Sequence, residues 1–249
     1  MPTRRRDLLL ASFIILAIWQ LAAWLIDRPI LPAPFSVLLV FWRDVKSGEL
    51  VGHFLVSLWR VMAGTLLAIL TAAPAGLMLG QSKRASRLFS PIIYLLYPIP
   101  KVVCVPIILL FFGIGDAAKI VIIFLILFFQ ILVLVRDQAA MLRPELIQSV
   151  MSLGAGRRAL FKYVYLPASL PAILTALRQS VGTAVAVLYI AELFATTRGL
   201  GYYIYFEGST LLDYPAMYAG VVAMSLLGLG MYFSVDRLEK WLCPWQYTN

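Results

Sequence analysis

Charge is scarce in this chain of 249 residues: 13% of them are Asp, Glu, Lys or Arg, while 62% are hydrophobic. Soluble domains run to about 25% charged and about 45–50% apolar. A fold of this size has too little interior to hide so much apolar surface, so lipid is the natural solvent for the excess. Histidine is scarcer still. With His53 alone, the chain lacks a His-Glu-x-x-His zinc helix and the His pair of an intramembrane protease. Its two cysteines, Cys104 and Cys243, match no metal spacing and read as inert thiols. No glycine is followed by lysine, so the Gly-x-x-x-x-Gly-Lys-Ser/Thr cradle for ATP phosphates is missing. No catalytic residue, metal ligand or bound cofactor is expected of the chain itself.

The charge that is present is mostly basic, with a net value of +9. It gathers at the ends of apolar runs rather than along one polar face, which excludes nucleic acid as the partner and reads as topology signalling. A bilayer core needs about 20 apolar helical residues. Six stretches qualify: Leu8–Ile26, Phe54–Leu79, Leu88–Phe112, Ala117–Val135, Pro171–Ala195 and Pro215–Val235. The first follows Arg4, Arg5 and Arg6 but is too long for a signal-peptide core, so it is expected to stay as an anchor. With the N-terminus inside, thirteen basic residues fall on inner segments and five, among them Arg28, Arg43 and Arg198, on outer ones. The expected fold is therefore an all-α, multi-pass membrane protein of six spans, a single transmembrane domain over residues 1–249, with both termini cytoplasmic.

Two connections are long. Asp27–His53 is expected outside, with an amphipathic stretch at Val37–Trp42 that breaks near Gly48. Arg136–Leu170 is expected inside and is the more informative. Leu142, Leu146, Val150 and Leu153 recur at helical spacing, and Pro144 with Glu145 suits a helix start. Gly154 and Gly156 interrupt the pattern, and a second short run over Ala159, Leu160 and Tyr163 is expected to end at Pro167 and Pro171. Two helices this short do not hold themselves together in water. They must pack on the bundle or on a partner, as a helix presented to a groove does.

Gln148-Ser149-Val150-Met151-Ser152-Leu153-Gly154, followed by Val164-Tyr165-Leu166-Pro167, resembles the EAA loop of binding-protein-dependent ABC importers. That pattern reads Glu-Ala-Ala, three residues, Gly, nine residues, Ile, any residue, Leu-Pro. The glycine and Leu-Pro match in spacing, Val164 stands for Ile, and Gln148, Ser149 and Val150 depart from Glu-Ala-Ala. Leu31-Pro32-Ala33-Pro34, Tyr97-Pro98-Ile99-Pro100, Phe112–Lys119, Ala191-Glu192-Leu193 and Gly199-Leu200-Gly201-Tyr202 resemble the sulfonate/taurine/nitrate branch. The resemblance runs from about Leu31 to Trp245. It implies a type I importer permease in the inner membrane, working as a homodimer with two cytosolic ABC ATPase subunits that bind ATP and Mg, and an extracytoplasmic solute-binding protein. It also implies that Gln148, Ser149, Val150, Leu153, Gly154, Ala155, Arg157, Arg158 and Pro167 carry the coupling to the ATPase. The implied solute is a sulfonate, taurine, nitrate or a similar anion.

Charges at bilayer depth cost about 2.5–3.5 kcal/mol each on insertion scales, so they face an interior or water. Tyr97, Pro98, Pro100 and Lys101 mark a break in the third span, of the kind tolerated where a helix lines a cavity. Lys101 is either a cationic point on the path of an anion, a partner of Glu192, or a snorkelling side chain. Glu192 is either a pathway or gating residue, an interfacial anchor, or a partner of Arg60 or Lys101. Arg178 is expected to snorkel or to anchor at the level of the lipid phosphates rather than to touch solute. Two rivals stand beside the importer reading: an ATP-independent secondary transporter, and a membrane anchor or assembly scaffold.

Overall fold

A computed structural model describes residues 5–194 and 196–246, and the side chains of Arg5, Leu8, Pro144 and Arg157 lie outside the description. Met1–Arg4 and Ala195, the predicted end of the fifth span, are likewise outside the described residues. All regular structure among the described residues is helical: α1 (Arg5–Ile26), α2 (Pro34–Ser47), α3 (Glu49–Gln81), α4 (Lys83–Leu96), α5 (Val105–Phe112), α6 (Asp116–Ala140), α7 (Pro144–Ser152), α8 (Arg157–Leu160), α9 (Leu166–Leu193), α10 (Leu200–Tyr205) and α11 (Tyr214–Leu242), with short 3-10 and π turns between them. The chain forms two compact units, Met1–Ser57 with Ala195–Leu226, and Leu58–Phe194 with Leu227–Asn249.

In the first unit, α1 is apolar on every side and only 6% of its span is buried. Its 22 residues give a rod of about 33 Å, enough to cross a bilayer core. Trp19 of α1 packs on Tyr218, ring centroids 5.7 Å apart. The amphipathic stretch forms α2, started by Pro34 and stopped by Gly48 at φ +83°. Its buried Asp44 accepts a hydrogen bond from the Tyr203 hydroxyl at 2.6 Å. His53, expected at a span edge, instead accepts from the Gly199 N–H through Nδ1 at 3.0 Å and stacks on Tyr202.

In the second unit, α3 and α6 touch backbone to backbone. A β-carbon on Gly64 would stand 2.7 Å from the Ile123 side chain. One on Gly76 would stand 2.9 Å from the Leu132 carbonyl oxygen, and one on Gly80 2.6 Å from that of Arg136. Such small-residue contacts are how helices approach closely in lipid. The contacts advance together along both helices, so α3 and α6 run parallel. A parallel pair forces the chain between them to cross back once. That crossing is made by α4 and α5, which are bent by 76° at Tyr97–Pro100 and together count as one span. With the five other apolar helices long enough to cross, the bundle has six spans. α9 runs antiparallel to α6, with Ile173, Leu174, Leu177, Val181 and Leu188 buried in the core against Ile122, Leu127, Ile131 and Val135.

Two expectations from the sequence need correction. Pro167 and Pro171 do not end the second short helix. Arg158–Leu193 is one helical run of 36 residues. A π turn at Phe161–Tyr165, in which the Leu166 N–H donates to the Phe161 carbonyl, widens the helix where Pro167 has no N–H to give. Arg178 does not snorkel. It forms an ion pair with Glu239 of α11.

Candidate coupling loop and translocation path

α7 begins at Pro144, after an extended Arg143, with Glu145 in its first turn. Ser149 and Ser152 fold their hydroxyls back on the helix, donating to the Glu145 carbonyl at 2.8 Å and the Gln148 carbonyl at 2.9 Å. Glu145 itself lies 3.6 Å from Arg143. The elbow follows at Gly154, whose φ of +78° is left-handed. Leu146 and Val150 line an open cavity of about 300 Å³ with Tyr163, Val164, Pro167 and Trp245. Opposite them the loop presents apolar side chains outward: Leu153 is 86% exposed and Met151 56%. Arg158 and Gln148 are on the exposed side or its edge, and Ala155 is half-buried. Of the residues expected to couple, Val150 and Pro167 line the same cavity, Leu153 and Gly154 form the tip, and the Arg157 side chain is outside the description.

The third-span break accounts for Lys101. Pro98 and Pro100 cannot donate N–H groups, and Lys101 Nζ donates to the Tyr97 carbonyl at 2.6 Å, closing the end of α4. A cation suits a helix C-terminus, and the same ammonium lies 4.6 Å from the Phe129 ring centroid. Lys101 therefore does not reach Glu192. The partner of Glu192 is Arg60, at 2.9 Å, and Arg60 also grips Asp116 at 2.7 Å. Lys119, fully buried beside them, donates to the Ile114 carbonyl. α3, α6 and α9 are thus joined by buried charge at the end opposite the coupling loop. Asp116, at the start of α6, is part of this cluster.

Tyr97 and Pro98 line a larger cavity of about 940 Å³, walled by α4 and by the late turns of α3 and α6. Its lining also includes Lys83, Ser86, Arg87, Ser90 and Arg136. Lys83, Arg87 and Arg136 were counted among the inner basic residues as topology signals, and the two serines carried no reading. The missed sign was periodic: Lys83 with Arg87, and Ser86 with Ser90 and Tyr94, recur every four residues and so share one face of α4.

Residues 64–245 match the family model described as the binding-protein-dependent transport system inner membrane component. The chain belongs to this family of ABC transporter permeases. The taurine transport system permease protein TauC of Escherichia coli K12 is 30% identical over 93% of this chain and 86% of its own. SsuC of Bacillus subtilis, named for aliphatic sulfonates transport, is 30% identical over 96% of this chain and 87% of its own. An ABC transporter permease protein of Methanocaldococcus jannaschii is 34% identical over 90% and 87%. Among solved structures, a chain of the MetNI methionine ABC transporter in an inward-facing conformation superposes with a TM-score of 0.68, covering 78% of this permease and 95% of that chain at 21% identity. The type I importer permease fold is thereby established, and the permease is an inner membrane component.

Proposed function

We propose that this permease is the membrane half of an ATP-driven importer for a small sulfonate-type anion. Two copies form the path, two cytosolic ATPase subunits power it, and an extracytoplasmic binding protein delivers the solute. Family membership speaks for ATP-driven import over secondary transport. The names of TauC and SsuC speak for a sulfonate. The observation that carries the coupling role is the tip at Leu153–Gly154: an exposed apolar residue on a left-handed elbow, held by two helices.

On this reading the loop end of the bundle faces the cytosol. ATP closes the motor subunits and draws the two elbows together. Because α8 runs through the π turn into α9 without a stop, the displacement passes along one helix to Glu192 and the buried charges at the far end. Switching needs the motor to bind the two states with different affinity. The test is co-purification of an ATPase with the tagged permease, followed by uptake in proteoliposomes. ATP-dependent accumulation of a sulfonate with the binding protein present is expected. Uptake driven by an ion gradient without ATP would make the chain a secondary transporter. An ATPase that comes down but is never stimulated by loaded binding protein would leave only a scaffold.

A further inference from the structure

α2 is amphipathic in the wrong sense for water. Its 14 residues wind so that Phe35, Leu38, Leu39 and Trp42 share one side. All four are exposed, from 51% at Leu38 to 69% at Phe35. The opposite side holds Val37, 2% exposed, and Asp44, the only acid of the helix, 4% exposed and bonded to the Tyr203 hydroxyl. A helix that borders water turns its charge outward and its apolar side inward. The exposed side of α2 therefore needs an apolar cover.

The surroundings identify that cover. α2 is about 21 Å long, too short to cross a bilayer core, so α1 ends and α3 begins on the same membrane face. Gly48 alone separates α2 from α3, which pins the C-terminal end of α2 at that face. The chain on either side is exposed and apolar in the same way, at Trp24, Leu25 and Ile30 before α2 and at Leu55 after it. The exposed charge of the helix is all basic. Lys46 lies on the apolar side, one turn past Trp42, and makes no ion pair among the described residues. Arg43 is exposed beside Trp42 and reaches back to Asp44 at 2.7 Å. Tryptophan and leucine flanked by Arg and Lys is the composition of a helix seated at headgroup level, with its rings in the boundary and its ammonium at the phosphates. A docking protein that comes and goes would leave four large apolar side chains in water between visits, whereas lipid is always present.

We propose that α2 is a membrane-surface helix, lying in the headgroup boundary on the face where α3 begins. Phe35, Leu38, Leu39 and Trp42 sit among the first acyl carbons, and Lys46 sits at the phosphates. Asp44, on the far side, ties the seated helix to α10 through Tyr203. The proposal concerns how the permease meets its bilayer and stands apart from what it carries.

The full chain is placed in nanodiscs of phosphatidylcholine and phosphatidylglycerol. Cys104→Ser removes the accessible thiol, and Cys243, fully buried, stays. A nitroxide is attached in turn at Phe35→Cys and Leu39→Cys, and at Ser47→Cys, an exposed position off the apolar side. Dissolved oxygen is expected to relax the first two labels more than a water-soluble nickel chelate does, placing them about 5–10 Å below the phosphates. The ratio of oxygen to chelate relaxation is expected to be lower at Ser47→Cys. Relaxation dominated by the chelate at Phe35→Cys and Leu39→Cys would put this side of α2 in water. Exclusion of both reagents would put it under protein, a second copy of the chain. Either result overturns the proposal. Trp42→Phe supplies a reading that needs no label and keeps an aromatic ring in place. The emission it removes is expected to be quenched by phosphatidylcholine brominated near the headgroup and spared by iodide. Quenching by iodide, or by neither reagent, overturns the proposal as well. No uptake assay enters these measurements, so failure of the importer reading would leave them untouched.

Discussion

At the scale of single residues, the buried charges are the costliest features of the permease. Arg60 is 4% exposed and Glu192 fully buried, whereas the Asp116 side chain is 48% exposed. Removing one partner of a buried pair strands the other and costs about 3–5 kcal/mol. Glu192→Gln is expected to destabilise by that order, and Asp116→Asn by about 1 kcal/mol or less because water screens it. Unfolding of the purified permease in a denaturing detergent series measures both, and equal losses would contradict the assigned hierarchy. Glu207 points the other way. Burial pushes its carboxyl above the ordinary range, Asp213, Glu49 and Asp44 add to the shift, and Arg43 opposes it weakly. A carboxyl raised in the native state gives stability that is complete below its unfolded value near 4.3 and is lost as pH rises through the native value. Glu207→Gln should therefore raise the Tm at pH 8 and flatten its fall between pH 4.5 and 8. A variant that melts below the wild type at pH 8 would refute this. The need for partners at these charges was legible in the sequence, because charge in lipid must be compensated. Which partner each found was not: Glu192 chose Arg60 over Lys101, and Arg178 chose Glu239, by the order in which helices pack.

At the scale of elements, the glycine elbow was legible from Gly154 interrupting a helical repeat, and the third-span break from its paired prolines. The continuity of α8 with α9 was not. Pro167 and Pro171 look like stops, but a proline in the first turn of a helix lacks only an N–H that would go unused, and the π turn absorbs the rest. On the proposed coupling role, continuity makes the loop the end of a lever instead of a hinged tether. The lever needs its elbow kept left-handed. A β-carbon at Gly154 would meet nothing within 4 Å, so a side chain there is penalised by φ alone. Asn tolerates that region and a β-branched residue does not. Gly154→Asn should keep ATP hydrolysis and uptake in step. Gly154→Val should leave basal hydrolysis running while sulfonate uptake falls by about tenfold, a loss that needs only a little over 1 kcal/mol. Parallel ATPase and uptake assays on one proteoliposome preparation decide it, and full uptake by Gly154→Val would remove the lever.

At the scale of the whole permease, the number of crossings fixes which residues share a side of the membrane. Hydropathy alone leaves the bent α4–α5 pair as either a re-entrant loop or a span. A re-entrant pair would return the chain to the side on which α3 ended. α6 would then begin there and run antiparallel to α3. The observed register excludes this, since Gly64, Gly76 and Gly80 meet Ile123, Leu132 and Ala139 in ascending order and Arg60 holds Asp116 at the opposite end. With α4–α5 crossing once, α3 and α6 end on the same side as the elbow, and α11, antiparallel to α9 through Arg178 with Glu239, ends there too. Basic residues crowd that side: Lys83, Arg84, Arg87, Arg136, Arg237 and Lys240. By the positive-inside rule this side is expected to be the cytosol. Green fluorescent protein fused after Asn249 should therefore fluoresce, and alkaline phosphatase fused there should be inactive. Phosphatase inserted at Gly113, between α5 and α6, should be active. An active phosphatase at the C-terminus would put the elbow on the outer side, away from any cytosolic motor.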